Sequence, residues 1–252
     1  MFLPGGKEQI AGEYQPGWML LSYGKKVSVS SSLEGYPAEN IVDEDARTAW
    51  VAQSNRDMEW AQVDLQRLSS IHAIQVNFDE YGANQKGAVS GVYQSYLIYA
   101  SVNGEDWSLV VDYGTKKTDT PHDYIEFEEP FKARYIKLQN KEYTVSENFS
   151  VRDLRIFGKG QGSTPRAVND FTVERDEADP CKARLCWEAV PDAQGYIVRY
   201  GIAGDKLYNN FQVMGENTLE IGSLNKGVAY YFTIDAYNEN GITRTSRIKV
   251  CR

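Results

Sequence analysis

Almost every apolar stretch of this chain alternates with a period of two, and almost none repeats with the period of a helix. Ile71–Phe78, Tyr96–Val102, Trp107–Asp112, Tyr124–Phe127 and Ala133–Gln139 read this way. So do Leu154–Phe157, Phe171–Arg175, Ala183–Glu188, Gly195–Tyr200, Thr218–Ile221, Tyr230–Tyr237 and Thr243–Val250. A period of two sends successive side chains to opposite faces, so one face can be buried while the other stays wet. Turn signals such as Asn103-Gly104, Pro191-Asp192 and Asn240-Gly241 separate many of the runs. Short strands at short spacing, with no helix between them, predict β-sandwiches and an all-β chain.

The one obvious linker is Gly158–Pro165, with three Gly, one Ser and one Pro in eight residues. It sustains neither strand nor helix, so it divides the chain. The expected organisation is a lead-in segment 1–22, a sandwich 23–159, a linker 160–165 and a second sandwich 166–252. A length of 252 residues suits two such domains, and 42% hydrophobic content excludes a disordered chain. No apolar run is long enough for a membrane span, so membrane insertion is not expected. The opening MFLPGGKEQI lacks a basic region followed by a long apolar one, so no signal peptide is visible. Met1 is then either a native start or the edge of a piece cut from a longer secreted precursor.

Net charge is -8, and no basic run exceeds two residues, which argues against nucleic acid as a partner. Residues 1–162 carry 16 basic and 23 acidic side chains, against 11 and 12 in 163–252. The acidic first part also disfavours docking on anionic lipid. Seventeen Tyr and five Trp are a rich supply. Most aromatics serve cores and strands, but exposed ones also stack on flat neutral ligands such as sugars.

In 166–252, Trp187, Tyr196, Tyr200, Leu224, Tyr230, Ala236, Asn238 and Gly241 fall in a pattern that resembles the fibronectin type III family, which implies a seven-stranded, immunoglobulin-like sandwich. Leu224 stands six residues before Tyr230, the spacing of a tyrosine corner. The first sandwich carries a longer ordered set. It runs from Ala38-Glu39-Asn40-Ile41-Val42-Asp43-Glu44-Asp45 to Trp50, then through Trp60-Ala61-Gln62-Val63-Asp64-Leu65 and Ile71–Phe78. Ser101–Trp107, Ala133–Leu138 and Val151–Gly158 complete it. This set resembles the discoidin family, also called coagulation factor V/VIII type C or carbohydrate-binding module family 32, over residues 23–159. The resemblance implies a jelly-roll-like sandwich that binds glycans, or in animal relatives lipids or proteins, through loops at one end. Gly17–Tyr23, Lys25-Lys26, Asp43-Glu44-Asp45 and Ile74–Phe78 further resemble the region after the catalytic propeller of bacterial family 43 glycoside hydrolases, which act on xylosides and arabinosides.

These resemblances imply a non-catalytic accessory region of a secreted, periplasmic or cell-surface hydrolase, with a neutral glycan or the adjoining catalytic domain as partner. An adhesion module for a protein or lipid surface and a purely structural spacer are the alternatives. Catalytic motifs are missing: there are two His, His72 and His122, and no nucleophile elbow or phosphate loop. Expected ligand-binding residues are Tyr36, Arg56, Tyr81, Tyr93 and Tyr143, on loops 32–37, 54–59, 80–93 and 142–148. The discoidin resemblance implies a structural Ca²⁺ held by Asp43, Asp45, Thr48 and Asp153, with Glu44 standing where Gly is frequent. Calcium takes about 6–8 oxygens, which such a loop supplies. The seven-strand course puts Cys181 and Cys251 at one end as disulfide partners and turns Cys186 away from the core.

Overall fold

The structure, a computed structural model, describes residues 2–3, 17–83 and 91–252. Its described residues divide into two compact units, one up to residue 161 and one of residues 162–252. Both are built of antiparallel strands.

The first unit contains β1 (Phe2–Leu3), β2 (Trp18–Leu20), β3 (Lys26–Val29), β4 (Trp50–Val51), β5 (Trp60–Phe78), β6 (Gln94–Ser101), β7 (Ser108–Tyr113), β8 (His122–Tyr143) and β9 (Ser150–Lys159). Two strands run from one layer into the other. The first part of β5 pairs with β3 and with the end of β8, whereas its second part lies between β9 and the start of β8. Irregularities let both strands turn. Gln66 adopts a left-handed backbone, φ 66°, its N–H held 2.7 Å from Asp64 Oδ1, where the β5–β8 register shifts. On β8 the stretch 127–130 stands opposite His72 alone, and Pro130 has no N–H to give a ladder. Tyr124–Phe127 and Ala133–Gln139, two runs in the sequence, are therefore one strand. Part of the expected lead-in is also sandwich: β2 pairs with β9 and puts Leu20 on Phe157. Residues 4–16 of that segment lie outside the described residues.

The core lies between the layers. Ala61, Val63 and Leu65 point inward from β5, and Trp50, Ile74, Tyr96, Ile98, Leu138, Phe149 and Ile156 complete it, all nearly inaccessible. Gly158 sits where β9 crosses β5 so closely that a Cβ would meet Ser70 O at 2.0 Å.

The second unit has one sheet of β10 (Phe171–Arg175), β11 (Ala183–Trp187) and β14 (Thr218–Ile221). The other contains β12 (Gly195–Gly201), β13 (Asn209–Met214), β15 (Tyr230–Asn238), β16 (Gly241–Thr243) and β17 (Lys249–Cys251). Eight strands replace the expected seven because the last is interrupted, and its two pieces pair with different parts of β15. Trp187 packs edge-on to Tyr196 at 5.1 Å in the core. Tyr230 accepts a 3.3 Å hydrogen bond from Asn225 N–H, so the spacing of Leu224 and Tyr230 does mark a corner. The segment expected as a free linker is partly fastened. Asn240 Oδ1 accepts from Gly162 N–H at 2.8 Å, and the Asn238 and Asn240 amides both donate to Ser163 O at 3.0 Å.

The expected Cys181–Cys251 bridge is corrected: Cys181, Cys186 and Cys251 are three unbonded thiols. Cys251 faces the apolar core from β17, where burial pushes its pKa up, while Cys181 lies half-buried on the turn before β11. Cys186 is half-buried between inward-facing Leu185 and Trp187, as its alternation requires.

Candidate functional site

Four loops of the first unit are tied to one another. Asn55 donates to the carbonyls of Tyr143 and Ser146 at 3.2 and 2.8 Å, and buried Asn140 donates back to those of Asn55 and Arg56. Asn148 reaches Ala52 O at 2.9 Å. Loop 31–36 joins through Leu33 N–H to Val51 O at 2.7 Å and through Gln53, whose backbone N–H meets Ser31 Oγ. Glu59 gathers the hydroxyls of Ser30, Ser31 and Ser54 on one carboxylate. Burial alone would raise that carboxyl's pKa, but the three hydroxyls and the charge of Arg56 outweigh it and leave it lowered.

On this frame the structure brings Tyr36 and Tyr81 together. Their rings meet edge to face, 4.9 Å apart at 70°. Both stay partly exposed. Gly35, with φ 84°, makes the turn that presents Tyr36, and Ser32 Oγ donates to Tyr36 O at 2.7 Å. Behind Tyr81, Asp79 is fixed from three sides: the Tyr143 and Ser150 hydroxyls donate to its carbonyl, and the Arg152 guanidinium pairs with its carboxylate. Such a corner offers an aromatic face and an aromatic edge to one flat ligand.

The other expected residues divide. Arg56 is exposed on the 54–59 turn beside Glu59. Tyr93 commits its hydroxyl to Glu142 at 2.5 Å, while Lys117 Nζ lies 5.3 Å from its ring centroid. Tyr143 is corrected: it is 2% exposed, packs against Phe78 and Phe149, and offers no plane to solvent. Its part is to hold Asp79. Residues 84–90 of the expected 80–93 loop lie outside the described residues. Gln53 and Arg152, which join this frame, were not singled out by the sequence.

The residues expected to hold calcium at the Asp43 loop are brought together only in part, and some are engaged by other side chains. Thr48 Oγ1 donates to Asp43 Oδ2 at 2.8 Å and lies 3.0 Å from Asp45 O, so part of an oxygen cluster is present. The Asp45 carboxylate, however, is bound to Arg47, which lowers its pKa. Asp153 accepts from Asn77 at 2.8 Å, and the cation nearest its other oxygen is the Arg155 guanidinium at 3.8 Å. Arg155 also donates to Glu44 at 2.8 Å. Glu44 keeps a left-handed backbone, φ 62°, and all three side chains are largely buried. Among the described residues no three His, Cys, Asp or Glu are grouped to hold a metal. A guanidinium from β9 thus stands between the loop and Asp153.

Neither histidine forms part of a catalytic set. His72 stacks on Trp18 at 5.2 Å with its pKa lowered by burial and by Lys159 and Lys132, and His122 Nδ1 lies 3.1 Å from Asn77 Oδ1. No helix of the described residues is long and apolar enough to cross a membrane.

Residues 26–154, about half of the chain, match the sequence profile of the F5/8 type C domain. Lactadherin of Rattus norvegicus is 33% identical over 110 residues, 41% of this chain, and that match spans 25% of the rat protein. Lactadherin of Mus musculus is 32% identical over the same length, spanning 23% of its chain. Similar solved structures include chitosan-binding module 1 of a chitosanase/glucanase from Paenibacillus sp. IK-5, at 20% identity over 56% of this chain and 99% of that one, TM-score 0.47. A family 32 carbohydrate-binding module from Clostridium perfringens, solved with galactose, is 17% identical over 56% of this chain and 98% of that one, TM-score 0.45.

Proposed function

The chain belongs to the F5/8 type C domain family, and on that premise we propose that its first unit is a non-catalytic module that binds a neutral glycan. The observation that carries this reading is the Tyr36–Tyr81 corner. Stacking against the C–H face of a sugar buries apolar surface without demanding charge, and the corner adds an edge that fixes the ring's approach. Braced loops lower the ordering cost of binding. The second unit, with its tyrosine corner, is read as a fibronectin type III-like spacer. The larger protein is read as a glycoside hydrolase working outside the cytoplasm, where polymeric glycans are met.

A single open site of this kind binds weakly, with a dissociation constant of about 0.1–1 mM. Calorimetry with xylan- and arabinan-type oligosaccharides, galactose and N-acetyl sugars tests the reading. Tyr36→Ala and Tyr81→Ala should each weaken binding about tenfold, because one stacking partner is worth roughly 1–1.5 kcal/mol. Binding that survives both substitutions moves the site elsewhere, and no binding to any of these sugars leaves the spacer reading.

A further inference from the structure

A second surface of the first unit has the chemistry of a ligand site. The layer made by β3, the first part of β5, the end of β8, β6 and β7 turns one face to the core and the other outward. The outward face of such an antiparallel layer is ordinarily polar. Here Trp60, opposite Gln139, and Gln62, opposite Lys137, share it with Tyr135 and Tyr99. Trp107 joins them from the turn before β7.

Lys137 is the centre of this face. Its Nζ lies 3.7 Å from the Trp107 ring centroid and 5.6 Å from that of Trp60. Trp107 in turn meets Tyr135 edge to face at 6.5 Å, and the Arg134 guanidinium lies 4.8 Å from the Tyr135 ring. Arg134 has its carboxylate, Asp64, at 2.8 Å. Lys137 has none among the described residues: its neighbours are π faces and neutral amides, and partial burial lowers its pKa. The indole N–H groups of Trp60 and Trp107 also make no hydrogen bond among the described residues. Three donors, one of them a cation, thus share a face with no hydrogen-bond or ion-pair partner of their own among the described residues.

A partly buried cation with no carboxylate partner favours an anion, and aromatic planes beside it favour a flat ring. Lys137 Nζ is held at the faces of Trp107 and Trp60, so a sugar lying along these aromatic side chains would bring its carboxylate within reach of the ammonium. We propose that this outer face is a second glycan-binding surface, distinct from the Tyr36–Tyr81 corner, and that it takes a carboxylate-bearing (uronate) polysaccharide lying across β5, β8 and the β6–β7 turn.

The test is affinity electrophoresis of the full chain through polygalacturonate and, separately, through neutral xylan, with thermal melts confirming that each variant folds. Polygalacturonate should retard the parent, and about 0.5 M salt should largely abolish the effect by screening. Lys137→Met keeps the hydrocarbon stem and removes the charge; it and Trp60→Ala should each weaken retardation about tenfold. Lys137→Gln should do the same, should the methionine variant fail to fold. Tyr36→Ala should leave polygalacturonate binding intact while affecting neutral glycan, so each site can fail without the other. Retardation unchanged in both Lys137 variants overturns the proposal. So does a parent that ignores polygalacturonate, or one that binds phosphatidylserine vesicles instead of the polymer.

Discussion

Glu59 shows how much one side chain can organise. It receives three serine hydroxyls from two loops, and their bonds outweigh the burial that would otherwise raise its pKa. A carboxyl whose pKa is lower in the folded protein than in the unfolded chain contributes stability above its unfolded value, roughly pH 4.3, and loses it as pH falls through the folded value. Glu59→Gln is therefore expected to lower the melting temperature at neutral pH and to narrow its deficit against the parent between about pH 5 and pH 3. Melts across that range check it; a deficit that stays constant with pH would mean that the charge contributes nothing. Residue roles of this kind were only partly legible. Tyr36 and Tyr81 stood out as aromatics on turns and do meet. Tyr143 had the same outward reading, but the β6–β8 register shifts near Ser95 and turns it inward, and a slip of one residue reverses every side chain beyond it.

Among the elements, the strands were the most legible part, because burial of one face imposes the period of two that the sequence displays. What the sequence hid was continuity. Gln66–Leu68 and 127–130 look like breaks, yet each is a bulge inside a strand that continues past it. At the Asp43 loop the discoidin resemblance implied oxygens for a cation; what the sequence did not show is that a positive charge arrives there from β9, more than a hundred residues away. Arg155 fastens that loop to the sheet, so Arg155→Met would leave Glu44 and Asp153 facing each other largely buried. Breaking a buried ion pair costs about 3–5 kcal/mol, and a somewhat smaller loss, about 2–4 kcal/mol, fits the partial exposure here. The parent's melting temperature should in turn be unmoved by calcium or by a chelator. A fall on chelation would restore the cation to the loop.

For the whole molecule, Gly, Ser and Pro content marks the stretch in which the two units part after Gln161, but it carries no sign of how that segment is tethered. Composition reports what a backbone is free to do, not which asparagine across a turn will catch it. Asn238 and Asn240 bind Gly162 and Ser163, and Thr243 donates to Pro165 O at 2.6 Å. Cleavage after exposed Arg166 requires that stretch to open locally, so its rate follows the opening equilibrium. Asn240→Ala removes two of these bonds, and limited trypsin digestion should cut after Arg166 about fivefold faster, equivalent to roughly 1 kcal/mol of exposed hydrogen bonding. Equal rates would mean that the tether contributes nothing.

The two layer-crossing strands also set a timetable. β5 is complete at residue 78, yet its second part takes its neighbours from β8 and from β9, which ends at Lys159. A ribosome adding about 5–20 residues per second needs roughly 4–16 s to supply the intervening chain. Until residues 122–133 of β8 are made, this nascent strand, rich in Val, Ile and Ala, has both edges open, and the edge that β9 covers stays open to the end of the interval, the condition under which chains pair with the wrong partner. The first unit is thus most vulnerable while it is being made, and slower translation across residues 79–159 would lengthen that exposure.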